Sequence, residues 1–196
     1  MLTILTIVAA YLLGSVSTAV MVSRTLDLPD PREHGSGNPG ATNVLRLGGR
    51  KAAAITLVGD YLKGLVPVLG ANLLGLSPLS CALAGLAALL GHVFPVFFRF
   101  QGGKGVATAL GVLIGLSWLA GVIAMLTWLT VARFTRLSSL AALVAAVLTP
   151  VYAWVAQARG SEILVLIVVS SVVIWRHREN VKRLRSGEEA KIGGAK

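Results

Sequence analysis

Three polar clusters in this chain carry residue types suited to gripping phosphate. The first runs His34-Gly35-Ser36-Gly37-Asn38-Pro39-Gly40-Ala41-Thr42-Asn43-Val44-Leu45-Arg46. Its glycines let backbone N–H groups turn toward a ligand, while Ser36, Asn38, Thr42 and Asn43 offer neutral donors. Concave N–H arrays of this kind bind phosphate, and Arg46 adds a bidentate fork. The second, Gln101-Gly102-Gly103-Lys104-Gly105-Val106-Ala107-Thr108, is a glycine-rich turn entering a helix. Such a turn is an anion site at the positive helix end, with Lys104 as a point charge. It is not a Walker A loop, because Phe98 stands where the first glycine belongs and Gly105 follows the lysine. The third is Arg176-His177-Arg178-Glu179-Asn180-Val181-Lys182-Arg183-Leu184. On a continuing helix His177 and Asn180 share a face. The arginines there fit a positive-inside anchor, a role that explains neither His177 nor Asn180.

Familiar catalytic machinery is missing. Cys81 lies mid-span, no serine sits in Gly-x-Ser-x-Gly, no histidine is followed five positions on by aspartate, and no aspartate-rich metal cluster is present. The expectation is a site of phosphate donors, with no metal and no cofactor. Smaller features read mainly as structural. Asp60 and Lys63 can pair across one helical turn, as a structural ion pair or equally as functional intramembrane charges, and His92 reads as a satisfied interfacial histidine. Ser15 and Ser17 suit helix packing, whereas Ser138 and Ser139 at a helix start suit caps or phosphate donors.

The elements that hold these clusters are apolar. Of 196 residues 55% are hydrophobic and 13% charged, against about 25% charged in a soluble domain. Apolar runs near 2–23, 51–72, 79–98, 105–116, 118–132, 137–157 and 161–176 read as membrane helices, with polar connections 24–50, 99–104 and 133–136 and a polar tail 177–196 that frays after Arg185. The first run lacks the basic start and small-residue cleavage site of a signal peptide. One helix over 105–132 would be about 42 Å long, too long for a hydrocarbon core of about 30 Å. It would also place basic loop 24–50 and the basic tail on opposite sides of the membrane. Two short helices bring every polar cluster to one face. The expected fold is therefore an all-α integral membrane protein, a compact bundle of about seven short transmembrane helices, N-terminus out and C-terminus in. The net charge of +10 follows from basic loops, so nucleic acid is not an expected partner.

Gly35 to Arg46, Gly91-His92-Val93-Phe94-Pro95-Val96-Phe97-Phe98, Gly102-Gly103-Lys104-Gly105-Val106-Ala107-Thr108 and Arg176-His177-x2-Asn180-x2-Arg183-Leu184 strongly resemble, in order and spacing, the bacterial acyl-phosphate:glycerol-3-phosphate acyltransferases. Two departures are Gly14-Ser15-Val16-Ser17, where many members carry Gly-Ser-Ile-Pro-Phe, and Pro39, where many carry Ile. The resemblance implies transfer of a fatty acyl group from acyl phosphate to the 1-hydroxyl of glycerol 3-phosphate, giving lysophosphatidic acid for phospholipid synthesis. It implies a multi-pass protein of the bacterial inner membrane with its site facing the cytoplasm. Membrane lipids and the soluble enzyme that makes acyl phosphate are its expected partners. Carried over, Ser36, Lys104, His177 and Asn180 are the catalytic set and, with Arg46, hold glycerol 3-phosphate. Gly102, Gly103 and Gly105, with Asn38, Thr42 and Asn43, cradle acyl phosphate, and Ser139 joins the binding residues. A transporter of a phosphorylated solute is the rival reading. The absence of an internal repeat and the gathering of polar clusters on one face weigh against it.

Overall fold

The computed structural model describes residues 1–192. Among them nine α-helices occur: α1 (Leu2–Gly14), α2 (Thr18–Thr25), α3 (Ala41–Leu73), α4 (Pro78–Val93), α5 (Val106–Leu116), α6 (Trp118–Thr135), α7 (Ser138–Val155), α8 (Gly160–Arg176) and α9 (Arg178–Ser186), with one 3₁₀ turn at Val96–Phe98. Four segments are long and apolar enough to cross a membrane, and six if the bent pairs α1–α2 and α8–α9 each count as one. The seven expected runs correspond to α1–α2, α3, α4, α5, α6, α7 and α8, the first of them broken by a bend and the last followed by another.

Each break has an identifiable cause. The first run bends by 41° at Ser15–Ser17. There the Val16 carbonyl leaves the helix ladder and instead accepts from Lys63 Nζ at 2.9 Å. Helix α3 starts at Ala41, ten residues before the expected apolar run at 51, because Gly40 is extended and opens the first turn. A kink follows at Gly49, whose φ of 74° only glycine adopts readily. Helices α5 and α6 are separate, meeting at extended Ser117. With 11 residues, α5 rises only about 16 Å, half of a hydrocarbon core. Beyond a 54° bend the chain continues as a helix from Arg178 to Ser186, and past Arg185, where the sequence suggests fraying, Glu189 and Ile192 bond back to the bundle.

Small residues set the packing. The interior is built largely from alanines, including Ala84, Ala88, Ala82, Ala120 and Ala141, while Phe134 and Trp154 are 82% and 72% exposed. That inversion suits lipid as solvent, where helices approach through small side chains. A side chain at Gly64 would strike the Thr108 carbonyl of α5, and one at Gly111 would strike the Tyr61 carbonyl of α3. Gly14 and Gly91 play the same reciprocal roles between α1 and α4, against Ala88 and Tyr11. These backbone-close crossings bring the ends of short helices, and hence the loops, onto one polar face.

Candidate active site

Loop 26–40 is held by its own side chains. Asp30 and Arg32 pair at 2.6 Å, and that guanidinium holds the Asp30 carboxyl below the usual range against the effect of burial. Gly35 and Gly37 take φ of 65° and 68°. Asn43 is 1% exposed and donates to the carbonyls of Pro31 and His34, both at 2.9 Å, while its Oδ1 accepts from the Ser36 N–H at 2.9 Å. Both amide hydrogens of Asn43 are thus committed to shaping the loop, and none remains for a cradled phosphate. The expected donor role moves to its neighbours. Ser36 lies exposed at the loop tip, Asn38 is half-buried, and Thr42 Oγ1 meets Ser138 Oγ at 3.3 Å across to α7.

The Gly102–Lys104 segment is clamped from two sides. Arg99 and Phe100 before it carry positive φ of 53° and 59°, and Gly105 after it, at 83°, caps α5. The Gly103 N–H donates to the His92 carbonyl at 3.2 Å. Arg176 donates to the carbonyls of Gly102 at 2.9 Å and Gly103 at 3.1 Å. A side chain on Gly102 would overlap the His92 and Val93 carbonyls, and one on Gly103 the His92 ring. Only glycine fits at either position. Arg176, which as a sequence reads as a membrane anchor, is therefore a loop clamp.

The third cluster closes the site. Lys104 Nζ donates to Asn180 Oδ1, and Asn180 Nδ2 donates to Glu189 Oε1 at 2.6 Å. Arg183 Nε donates to the other Glu189 oxygen at 2.8 Å. Beyond Gly187 the chain folds back, and the Ile192 N–H reaches the Arg136 carbonyl at 2.7 Å. Burial pushes the Glu189 carboxyl up, but Ser139, Asn180 and Arg183 outweigh it and hold the group ionised. The Ser139 hydroxyl is buried beside the Glu189 carboxylate, close enough to favour its ionised form but short of good hydrogen-bond geometry. His177, 2% exposed at the α8–α9 bend, donates from Nδ1 to the Val173 carbonyl at 2.8 Å, leaving Nε2 for another partner. Burial lowers the Lys104 pKa to about 8, and Arg183, Arg176 and Arg46 reinforce the shift against Glu189. Arg46 is exposed on α3 and touches this cluster only through its field.

Lys104 and Asn180 are thus hydrogen-bonded and Gly102 and Gly103 are held by Arg176, with His177 and Ser139 beside them. Ser36, Asn38 and Arg46 flank the group without hydrogen bonds to it. Glu189 was not legible as a site residue: an acid in a basic tail looks like solvated surface. Among the described residues no group of three metal-ligating side chains occurs. The arrangement gathers a buried lysine and the guanidinium groups of Arg176 and Arg183 at one end of the bundle, a positive surrounding that attracts phosphate.

Comparison with known proteins agrees. The family model described as Glycerol-3-phosphate acyltransferase matches residues 4–187. The glycerol-3-phosphate acyltransferase of Methylococcus capsulatus is 57% identical over 184 residues, 94% of this chain and 93% of that protein. The crystal structure of PlsY (YgiH), an integral membrane glycerol 3-phosphate acyltransferase, in its glycerol 3-phosphate form superposes with a TM-score of 0.93 at 38% identity, covering 98% of this chain and 96% of that one. Its lysophosphatidic acid form gives 0.90 at 37% identity, over the same shares of the two chains. An all-helical integral membrane bundle is confirmed, and the chain belongs to the glycerol-3-phosphate acyltransferase family.

Proposed function

We propose that this enzyme transfers a fatty acyl group from acyl phosphate to the 1-hydroxyl of glycerol 3-phosphate. The hydroxyl oxygen attacks the acyl carbonyl carbon, the C–O bond to phosphate breaks, and lysophosphatidic acid and inorganic phosphate leave. The supporting observation is the convergence of Lys104, Asn180, His177, Ser139 and the Gly102–Gly103 segment at one end of the bundle. Solved relatives with glycerol 3-phosphate and lysophosphatidic acid bound favour the same substrate and product here.

Ser36, Arg46, Lys104, His177 and Asn180 hold glycerol 3-phosphate in this reading. The turn around Gly102, Gly103 and Gly105, with Asn38 and Thr42, receives acyl phosphate. The acyl chain lies among the lipid-facing apolar side chains. Acyl phosphate is already activated, so no acyl-enzyme is needed, and positioning of two anions supplies much of the rate. Donors aimed at the developing oxyanion add to it. A phosphate oxygen of the substrate takes the hydroxyl proton in this reading, while burial lowers the His177 pKa to about 4 and leaves its Nε2 a proton acceptor. Neutral Nε2 of His177 is the competing base.

In the cell the site faces the cytoplasm of a bacterial inner membrane, with the N-terminus out and the C-terminus in. The excess of Lys and Arg in segments 24–50 and 176–191 supports this orientation. Purified protein is given palmitoyl phosphate with and without glycerol 3-phosphate, and palmitoyl-CoA as control donor. Phosphate release that needs glycerol 3-phosphate and yields lysophosphatidic acid supports the reading; equal use of palmitoyl-CoA sinks the assigned donor.

A further inference from the structure

Asp60, Lys63 and His92 are 3%, 5% and 6% exposed, yet the proposed reaction uses none of them. Lys63 Nζ lies 2.9 Å from Asp60 Oδ1 and also donates to the Val16 carbonyl at the break in the first span. Asp60 Oδ1 faces His92 Nδ1 at 3.6 Å, and that nitrogen has no nearer partner among the described residues. The other edge of the ring braces Gly103: a side chain there would collide with His92 Nε2. The backbone of Asp60 is used as well, its carbonyl accepting from Thr108 Oγ1 at 2.9 Å.

These contacts bracket one segment. His92 lies at the end of α4, before the Gly102–Lys104 turn, and Thr108 lies in the first turn of α5, after it. Asp60 reaches the first through its carboxylate and the second through its carbonyl. The turn itself follows two residues in the left-handed region, Arg99 and Phe100, so its shape is imposed from outside. Buried ionic groups are costly, and they persist where they set geometry. We infer that Asp60 is a positioning residue for the Gly102–Lys104 turn, acting through the His92 imidazole and held in place by Lys63. Lys104 reaches Asn180 only if that turn is correctly set, so the inference rests on the proposed acyl transfer for its kinetic consequence but not for its structural one.

The test compares wild type, Asp60→Asn, His92→Gln and the double variant Asp60→Asn/Lys63→Met in nanodiscs. The double variant removes both charges together and leaves no buried ion unpaired. Two readouts are taken: amide hydrogen exchange over 99–107, and the kinetics of acyl transfer from palmitoyl phosphate. Exchange in 99–107 is expected to rise at least tenfold in all three variants while peptides of α7 stay at wild-type rates. Turnover efficiency with glycerol 3-phosphate is expected to fall about 10- to 100-fold, the scale of a misplaced binding group. Exchange in 99–107 unchanged, or raised equally throughout the bundle, overturns the inference. Inactive wild type with the local exchange change present overturns the proposed reaction and leaves the positioning role standing.

Discussion

Lys104 and Asn180, 76 residues apart in the chain, are joined by a hydrogen bond from Nζ to Oδ1. The bond ties the glycine-rich turn between α4 and α5 to the helix that follows the last span. Asn180 is in turn fixed by Glu189, so the lysine's position depends on a carboxylate nine residues further on.

Removal of the lysine therefore tests the centre of the site. Lys104→Ala is expected to lower turnover efficiency by at least about 100-fold, the usual loss for a donor aimed at developing charge. Asn180→Ala should show a similar loss. Both variants keep the bundle, because neither side chain supports a helix crossing. Steady-state phosphate release from palmitoyl phosphate measures this, and wild-type rates in Lys104→Ala would remove it from the mechanism.

Burial moves the Lys104 pKa from 10.5 down to about 8, so its proton leaves within reach of an ordinary assay. The charged form binds phosphate, hence kcat/KM should decline as pH rises through about 8. Between pH 8 and 10.5 the unfolded chain binds more protons at this lysine than the folded one, so its contribution to stability rises with pH. Loss of activity in that window is then not unfolding. A pH profile with a parallel melting curve checks the sign; a falling melting point would point to another cause.

His177 offers a sharper mechanistic choice. With Nδ1 bound to the Val173 carbonyl, only Nε2 can meet substrate. His177→Gln should raise KM for glycerol 3-phosphate while keeping kcat within about tenfold at saturation. A general base contributes typically 10²–10⁴-fold, so a loss of that size in kcat would make His177 the base.

Glu189 lies outside the matched family region yet holds Asn180 and Arg183. Its loss leaves buried Asn180 without its acceptor, at a cost of about 1–3 kcal/mol, while half-exposed Arg183 turns to water. Glu189→Ala is expected to lower both the melting temperature and kcat/KM. Unchanged values in both would show the contact to be incidental.

At the α3–α5 crossing, Gly111→Val places two methyl groups against the Tyr61 carbonyl. Overpacking of this kind costs about 1–3 kcal/mol. The variant should express poorly and melt early, as measured by tryptophan fluorescence in detergent. Normal melting would mean that the two helices can part without harm.

Much of this protein is legible without coordinates. Apolar runs and glycine-rich turns have local physical causes: a hydrocarbon solvent demands one, and tight anion-binding backbone demands the other. The separation of α5 from α6 at Ser117 is of this kind, because a single 105–132 helix would overrun the membrane and split the basic loops. The bend at Val16 is not, since the residue that satisfies its carbonyl is Lys63, on another helix. Nor is the commitment of Asn43 to its own loop, which a list of polar residues cannot distinguish from ligand binding. Arg176 as a clamp, Glu189 as the partner of Asn180, and Asp60 behind His92 were all invisible for the same reason. Residue type and spacing determine which segments enter the membrane and which turns can hold phosphate. Which buried donor meets which acceptor depends on helix crossings set by glycine contacts far apart in the chain, and only the tertiary structure decides that.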